Sequence, residues 1–233
     1  MEFQKLSSLS LKEMFIRQIR DMILSGRIPV GGKLPSEREI AKQMQVSRAV
    51  VNSGFAELEK QGFLEILQRQ GVFVANYGKN GNINTLNAIM EYHGDTLGQS
   101  DIYSIIEVRR ALEHLVTDSV IKNASNEEIL GLEGLLEEVS AAKNIDDTVL
   151  ATFSFHHKLS VISKNSIIPL IYISFKPVVT QLWKRFCLRY GKEALYDSVL
   201  CLYKCIKERD AGAARRCTNK QLDEALEGGH QIY

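Results

Sequence analysis

Two short helical patterns, parted by a break of two residues and followed at once by a hairpin pattern, constrain this chain more than anything else in it. Ser36-Glu37-Arg38-Glu39 follows Pro35 and sets a Ser three residues ahead of a Glu, the spacing of a capping box. Ile40, Ala41 and Met44 then form one helical face. After Gln45-Val46, Ser47 caps the next helix, which runs to about Gln61 with Val50, Val51, Phe55 and Leu58 as its apolar stripe. Gly62 stops it. Phe63-Leu64-Glu65-Ile66 reads as a strand, Gln68-Arg69-Gln70-Gly71 as a turn, and Val72-Phe73-Val74 as the returning strand. Upstream, apolar residues at 11, 14, 15, 19, 22 and 23 predict a helix over 11–25 between Ser10 and Gly26. Residues 1–76 therefore read as three helices and a β-hairpin, the winged helix-turn-helix arrangement.

The rest of the chain reads differently. Asn76-Tyr77-Gly78-Lys79-Asn80-Gly81-Asn82 is rich in Gly and Asn, and 77–83 is the expected linker. Beyond it no strand pattern occurs. Helical patterns cover about 84–93, 100–123, 126–143, 146–163, 166–190, 193–208 and 211–227, with Ser125-Asn126-Glu127-Glu128 as another capping box. Gly94, Asn144, Asn165 and Gly191 punctuate the series. The expected fold is mainly α: a winged helix-turn-helix over 1–76 and an all-α bundle of six to seven helices over 84–233. A length of 233 residues suits two such domains.

Charge sharpens the division. Residues 1–76 hold eleven Lys and Arg against eight Asp and Glu, while 77–233 hold eighteen against twenty. A basic first domain on a chain of net charge +1 permits a nucleic-acid contact. The longest apolar stretch, Ile167 to Phe175, is far short of the ~20 residues of a spanning helix, and the N-terminus has no targeting pattern. A cytoplasmic protein without a membrane partner is expected. The four cysteines, Cys187, Cys201, Cys205 and Cys217, form no C-x-x-C pair and read as buried thiols.

The winged arrangement suggests its own use. The major groove of DNA admits one α-helix, whose N-terminal side chains read base edges. Ser47 can cap that helix and bond a phosphate. Arg48 can donate two parallel bonds to guanine or pair with phosphate, and Asn52, one turn on, can pair with adenine or phosphate. Arg38 is well placed at the start of the preceding helix. Arg69, beside Gly71 at the hairpin tip, could reach the adjacent minor groove.

Leu34-Pro35-Ser36-Glu37-Arg38-Glu39-Ile40-Ala41, Val46-Ser47-Arg48, Leu58-Glu59-Lys60-Gln61-Gly62-Phe63-Leu64 and Arg69-Gln70-Gly71-Val72-Phe73-Val74 together resemble the DNA-binding domain of the GntR family of bacterial transcription regulators. The resemblance implies DNA contacts at Arg38, Arg48, position 52 and the wing around Gly71. It departs from the family's frequent Arg at 52, here Asn52, and its frequent Pro at 68, here Gln68. The family thus implies a fold without fixing the operator.

Ile106-Glu107-Val108-Arg109-Arg110-Ala111-Leu112-Glu113, Phe155-His156-His157-Lys158-Leu159, Ser163-Lys164-Asn165, and the stretch from Ile206 to Ala214 resemble the FadR-like subfamily, whose helical domain binds effectors. Many members hold a divalent metal there through an Asp, a His four residues later and two later His. Here His156 matches the first His, but Thr152 stands at the Asp position, the last two helices hold no His, and His230 lies in the tail. No metal or other cofactor is expected, since such a site needs three or more N, O or S ligands. Arg109 is the residue that the resemblance points into the effector cavity, where it could clamp a carboxylate or phosphate. A pairing with Glu107, Glu113 or a solvent-facing carboxylate is the alternative. Arg109, Thr152 and His156 are the expected effector residues. His157 reads as structural, and His93 and His114 suggest no chemistry. The aromatic content of 166–190, including Trp183, reads as core or dimer interface.

The expected function is a homodimeric DNA-binding regulator, a repressor, released from its operator by an organic or sugar acid. One alternative is a DNA-binding dimer whose helical domain is only structural. A remote one is a metal-dependent hydrolase on His156 and His157, which adjacent positions on a helix serve poorly because they point about 100° apart. The chain carries no H-E-x-x-H, nucleophile elbow or phosphate loop, so an enzyme is not expected.

Overall fold

Three serine caps build the first unit. In the computed structural model, which describes residues 10–93 and 99–226, Ser10 opens α1 (Leu11–Leu24), Ser36 opens α2 (Glu37–Met44) and Ser47 opens α3 (Arg48–Lys60). Each serine side chain accepts a backbone N–H of the first turn, and Glu13 and Glu39 return the bond to complete capping boxes. The break between α2 and α3 turns at Gln45, which is left-handed at φ 54°. β1 (Leu64–Leu67) and β2 (Gly71–Val74) pair antiparallel, from Leu64 opposite Val74 to Leu67 opposite Gly71. Lys33 bridges to Phe73 on the outer edge of β2.

The core of this unit lies between α1, α3 and the wing. Phe15, Ile19, Val51, Phe55, Leu58 and Phe63 are almost wholly buried. The Phe15 and Phe55 rings meet at 5.7 Å. Gly54 is what lets α1 come so near α3, because a Cβ there would stand 2.2 Å from Phe15 Cδ1.

The stretch read as a linker is folded. Asn76 caps the short α4 (Tyr77–Asn80), and α5 (Ile83–His93) follows. Asn82 Nδ2 donates to the Lys60 carbonyl at 3.2 Å and Thr85 Oγ1 to the Gln61 carbonyl at 2.5 Å, so α5 satisfies the orphan carbonyls at the end of α3. Ala88 joins the core of the head and Arg20 pairs with Glu91 at 3.0 Å. The chain divides between Tyr92 and His93, so α5, assigned to the second domain by sequence, packs with the first. Its Asn and Thr side chains act as caps rather than as loop formers.

The second unit is helical throughout its described residues: α6 (Gln99–Asn123), α7 (Asn126–Leu130), α8 (Glu133–Ala141), α9 (Ile145–Ile162), α10 (Ile168–Tyr190), α11 (Lys192–Lys207) and α12 (Ala211–Leu226). Gly94 and His230 lie outside the described residues. The single helix expected over 126–143 is two, because the chain bends at Gly131-Leu132 to bring both Ile129 and Leu132 into the core. α9 packs between α8 and α10, while α12 packs on α6 and α11. Arg209, at the turn before α12, donates to the Ile121 and Ala124 carbonyls and to Asn126, closing the C-terminal end of α6. No helix is long and apolar enough to cross a membrane among the described residues.

The cysteines depart from the expectation of four buried thiols. Cys187 is buried and Cys205 half-buried, both free, whereas Cys201 is exposed on α11 and paired with Cys217 on α12.

Candidate nucleic-acid interface and ligand cavity

Because α2 and α3 start near one another and the wing turns back beside them, their first turns and the wing tip share one concave face. Lys33, Ser36, Arg38, Arg48, Arg69, Gln70 and Gly71 all line it. Arg48 is the first residue of α3, and its side chain is 68% exposed. Its Nη2 lies 3.7 Å from Glu37 Oε2, a surface pair worth roughly 0–1 kcal/mol. Glu39 is occupied by the cap: its carboxylate accepts from the Ser36 backbone N–H at 2.8 Å and the Ser36 hydroxyl at 2.7 Å, which holds its pKa below the usual carboxylate range. Arg69 is left-handed at φ 63° and Gly71 stands at φ 117°, so the tip turns tightly. A Cβ on Gly71 would meet Lys33 Cε at 2.8 Å.

Ser47 and Asn52 do not line the concavity. Ser47 Oγ accepts the Val50 N–H at 3.3 Å as the α3 cap, and Asn52 is exposed one turn further along α3. Lys33 was missed from the sequence. It belongs to no helical pattern, and the wing alone brings it to this face, its ammonium 5.7 Å from the Phe73 ring centre.

The helical unit holds two small, partly open voids, of about 60 and 30 Å³. Arg109, His156 and Trp183 line both and so stand between them. The Arg109 guanidinium lies 4.8 Å from the Trp183 ring centre, and His156 stacks on Trp183 at 5.3 Å. Arg109 Nε donates to Glu113 Oε1 at 2.5 Å, one turn along α6, where both side chains are largely buried. Glu113 was the partner that i,i+4 spacing allowed. Burial pushes its carboxyl up, but Arg109, His156 and the bond from Arg109 outweigh this and hold its pKa below the usual range. Burial lowers the His156 imidazole to about 4 despite the raising effect of Glu113, with Arg109 lowering it further. His156 is therefore neutral at pH 7, and Arg109 is the cation of the cavity.

Thr152 sits one turn before His156 on α9, fully buried, and lines neither void. Its hydroxyl has no hydrogen-bond partner. His157 points elsewhere, stacked on Phe153 at 5.9 Å. The two histidines therefore do not converge. A resident metal does not fit this donor set: one imidazole, a threonine hydroxyl and a carboxylate already held by arginine. No group of three potential metal ligands occurs among the described residues. The sequence assigns Trp183 to core or dimer interface and does not single out Ser198 or Gln221, which line the larger void from α11 and α12.

Comparison with known proteins agrees with the fold of both units. The family described as bacterial regulatory proteins, gntR family, matches residues 11–74, and the FCD domain family matches residues 104–224. A Haemophilus influenzae protein named Uxu operon regulator is 28% identical over 152 residues, 64% of this chain and 53% of that one, so the match spans about half of that relative. Klebsiella aerogenes NanR, named an HTH-type transcriptional repressor, is 23% identical over 227 residues, 93% of this chain and 84% of its own. In structure, Listeria monocytogenes Lar shares the fold with a TM-score of 0.61 at 15% identity, over 95% of this chain and 97% of that one. With a winged head over its first part and a helical unit over the rest of its sequence, the chain belongs to the GntR family of bacterial regulatory proteins, in the branch that carries an FCD domain.

Proposed function

We propose that this protein is a cytoplasmic, sequence-specific transcription repressor that binds operator DNA as a homodimer and is released by an organic or sugar acid held in the helical domain. The observation that carries the DNA reading is the gathering of Arg38, Arg48, Arg69 and Lys33 around the first turn of α3 and the wing tip. Four cations beside a helix N-terminus suit a phosphate backbone flanking a groove, with Arg48 and Asn52 aimed at bases and Ser47 at a phosphate. The exposed pair with Glu37 is weak enough for phosphate to displace. A second copy is the partner that supplies a second head, and exposed apolar residues on α10, among them Leu170, Ile173 and Leu188, support pairing.

The effector reading rests on Arg109. A largely buried guanidinium flanked by a neutral imidazole and an indole face offers a carboxylate two parallel bonds. Such a ligand must displace Glu113 and part the Arg109–Trp183 contact, merging the two voids. That change in α6 and α10 would favour one arrangement of the domain over another. The reading of a purely structural helical domain draws on the same facts, because the voids are small and Arg109 already has a partner. His156 and His157, turned apart, give no support to a hydrolase.

Selection of bound fragments from sheared source-genome DNA at physiological salt tests the first part. A palindromic motif is expected, and Arg48→Ala should weaken the enrichment. Enrichment unchanged in that variant would sink the reading. A screen of aldonic, uronic and short hydroxy acids by melting temperature tests the second. A rise seen in the native protein and absent from Arg109→Ala is expected, while no rise with any acid would favour the structural alternative.

A further inference from the structure

We propose that Cys201 and Cys217 form a reversible dithiol–disulfide site that ties α11 to α12 beside the larger void. The four cysteines are chemically unequal. Burial pushes the Cys187 thiol up to about 11 with Glu193 adding to it, and burial with Asp210 and Glu208 raises Cys205. Both are poor nucleophiles at neutral pH. Cys201 is exposed on α11, open to a dissolved oxidant. Its sulfur meets that of Cys217 across the α11–α12 contact, with Cα atoms 6.7 Å apart, a span that a disulfide bridges. Cys205 is one turn from Cys201 on the same helix, yet it is Cys217 that faces Cys201. Cys217 is almost buried and accepts a hydrogen bond from Gln221 Nε2 at 3.4 Å. A reachable thiol with a second held behind it is the arrangement of an attacking and a resolving cysteine.

The oxidant is a hydroperoxide. The Cys201 thiolate attacks one peroxide oxygen, the O–O bond breaks, and an alcohol or water departs with the thiol's proton, leaving a sulfenic acid. The Cys217 thiolate then attacks that sulfur, the S–O bond breaks, and water departs as the S–S bond forms. A small cellular thiol reverses the step by exchange. In a reducing compartment the pair rests as thiols and closes under oxidant, as transient cytosolic disulfides do.

The position gives the bond a consequence. Gln221 also donates to the Ser198 carbonyl at 2.8 Å, and Ser198 and Gln221 both line the larger void. They lie about one helical turn from Cys201 and Cys217. Closing the bond fixes the α11–α12 wall of that void. An effect on ligand binding would rest on the effector reading; the bond itself does not.

The test uses the full-length protein, reduced, freed of reductant and exposed to a small excess of hydrogen peroxide, with denatured mass, thiol count and peptide mapping as readouts. The native chain should lose two hydrogens in mass and fall from four alkylatable thiols to two. One linked peptide pair should carry Cys201 and Cys217, and dithiothreitol should restore all four thiols. Its melting temperature should rise on oxidation. Cys205→Ser should behave in the same way. Cys201→Ser, at an exposed position that leaves the core intact, should show neither the mass loss nor the melting shift. Four thiols still alkylatable, a link through Cys205 or Cys187, a bond between two chains, or over-oxidation of Cys201 without a bond would each overturn the proposal. DNA and effector binding enter none of these readouts, so failure here is distinct from failure of the proposed function.

Discussion

Arg48 and Arg109 bring the same guanidinium to the two units under opposite conditions. Arg48 has a side chain 68% exposed and a carboxylate at 3.7 Å; Arg109 is 16% exposed and bonded at 2.5 Å to a carboxylate that is itself 5% exposed. The first is a solvated charge that can exchange its partner with little loss. The second is committed, because a buried charge without its counter-ion costs several kcal/mol. On the proposed reading, a ligand on the head would add charge neutralisation to a ready surface. In the cavity the proposed acid would first have to replace an internal anion, so its recognition would be a competition between two carboxylates.

The sharpest way to break this contrast is to delete each arginine and measure folding. Arg109→Ala should lower the unfolding free energy by about 3–5 kcal/mol, since Glu113 is left buried and unpaired. Denaturant unfolding checks this, and a loss as small as that of a surface substitution would erase the distinction. Acid offers a second probe. The His156 imidazole is lowered from 6.5 to about 4, so the unfolded chain takes up a proton that the folded chain refuses. Stability should be complete above pH 6.5 and fall between 6.5 and 4, by about 3 kcal/mol in all. The depressed Glu113 carboxyl acts in the same direction, its contribution present above its unfolded value and lost as pH falls through the folded one. His156→Gln should flatten the slope between 6.5 and 4, and an unchanged slope would place the titration elsewhere.

On the head the expectations invert. Arg48→Ala should weaken operator binding by about 1–3 kcal/mol and relax specificity at the base it reads, while folding changes by less than about 0.5 kcal/mol. Equilibrium binding to the operator and to its single-base variants checks the first and thermal melting the second. The smallest effect concerns metal: zinc or nickel at a modest excess should leave the melting temperature of the helical unit where it was. A large rise would show that Thr152, His156 and their neighbours assemble a donor set after all.

The two units were also unequally legible in the sequence. In the head the signals are local. Ser36 with Glu39, Ser47 ahead of its helix, Gly62 and the Arg69–Gly71 turn each announce a boundary within a few residues, and the structure follows them closely. In the helical unit the elements were legible and their meeting points were not. Helical periodicity located α9 to α12, yet nothing in it says that Trp183 on α10 stacks on His156 of α9 or that Cys201 faces Cys217. The bend at Leu132 escaped for the same reason, since it answers to packing on distant helices. Polar residues misled once, between 76 and 85, where Asn and Thr suggested a loose connection but their side chains terminate α3.

That last arrangement has a mechanical side. With Asn82 and Thr85 clasped to the end of α3 and Ala88 seated in the core, α5 is a rigid arm cast in one piece with the reading head. Eleven helical residues make an arm of about 16 Å. Because arm and head are one piece, a turn applied to α5 carries the first turn of α3 and the wing tip through the same angle.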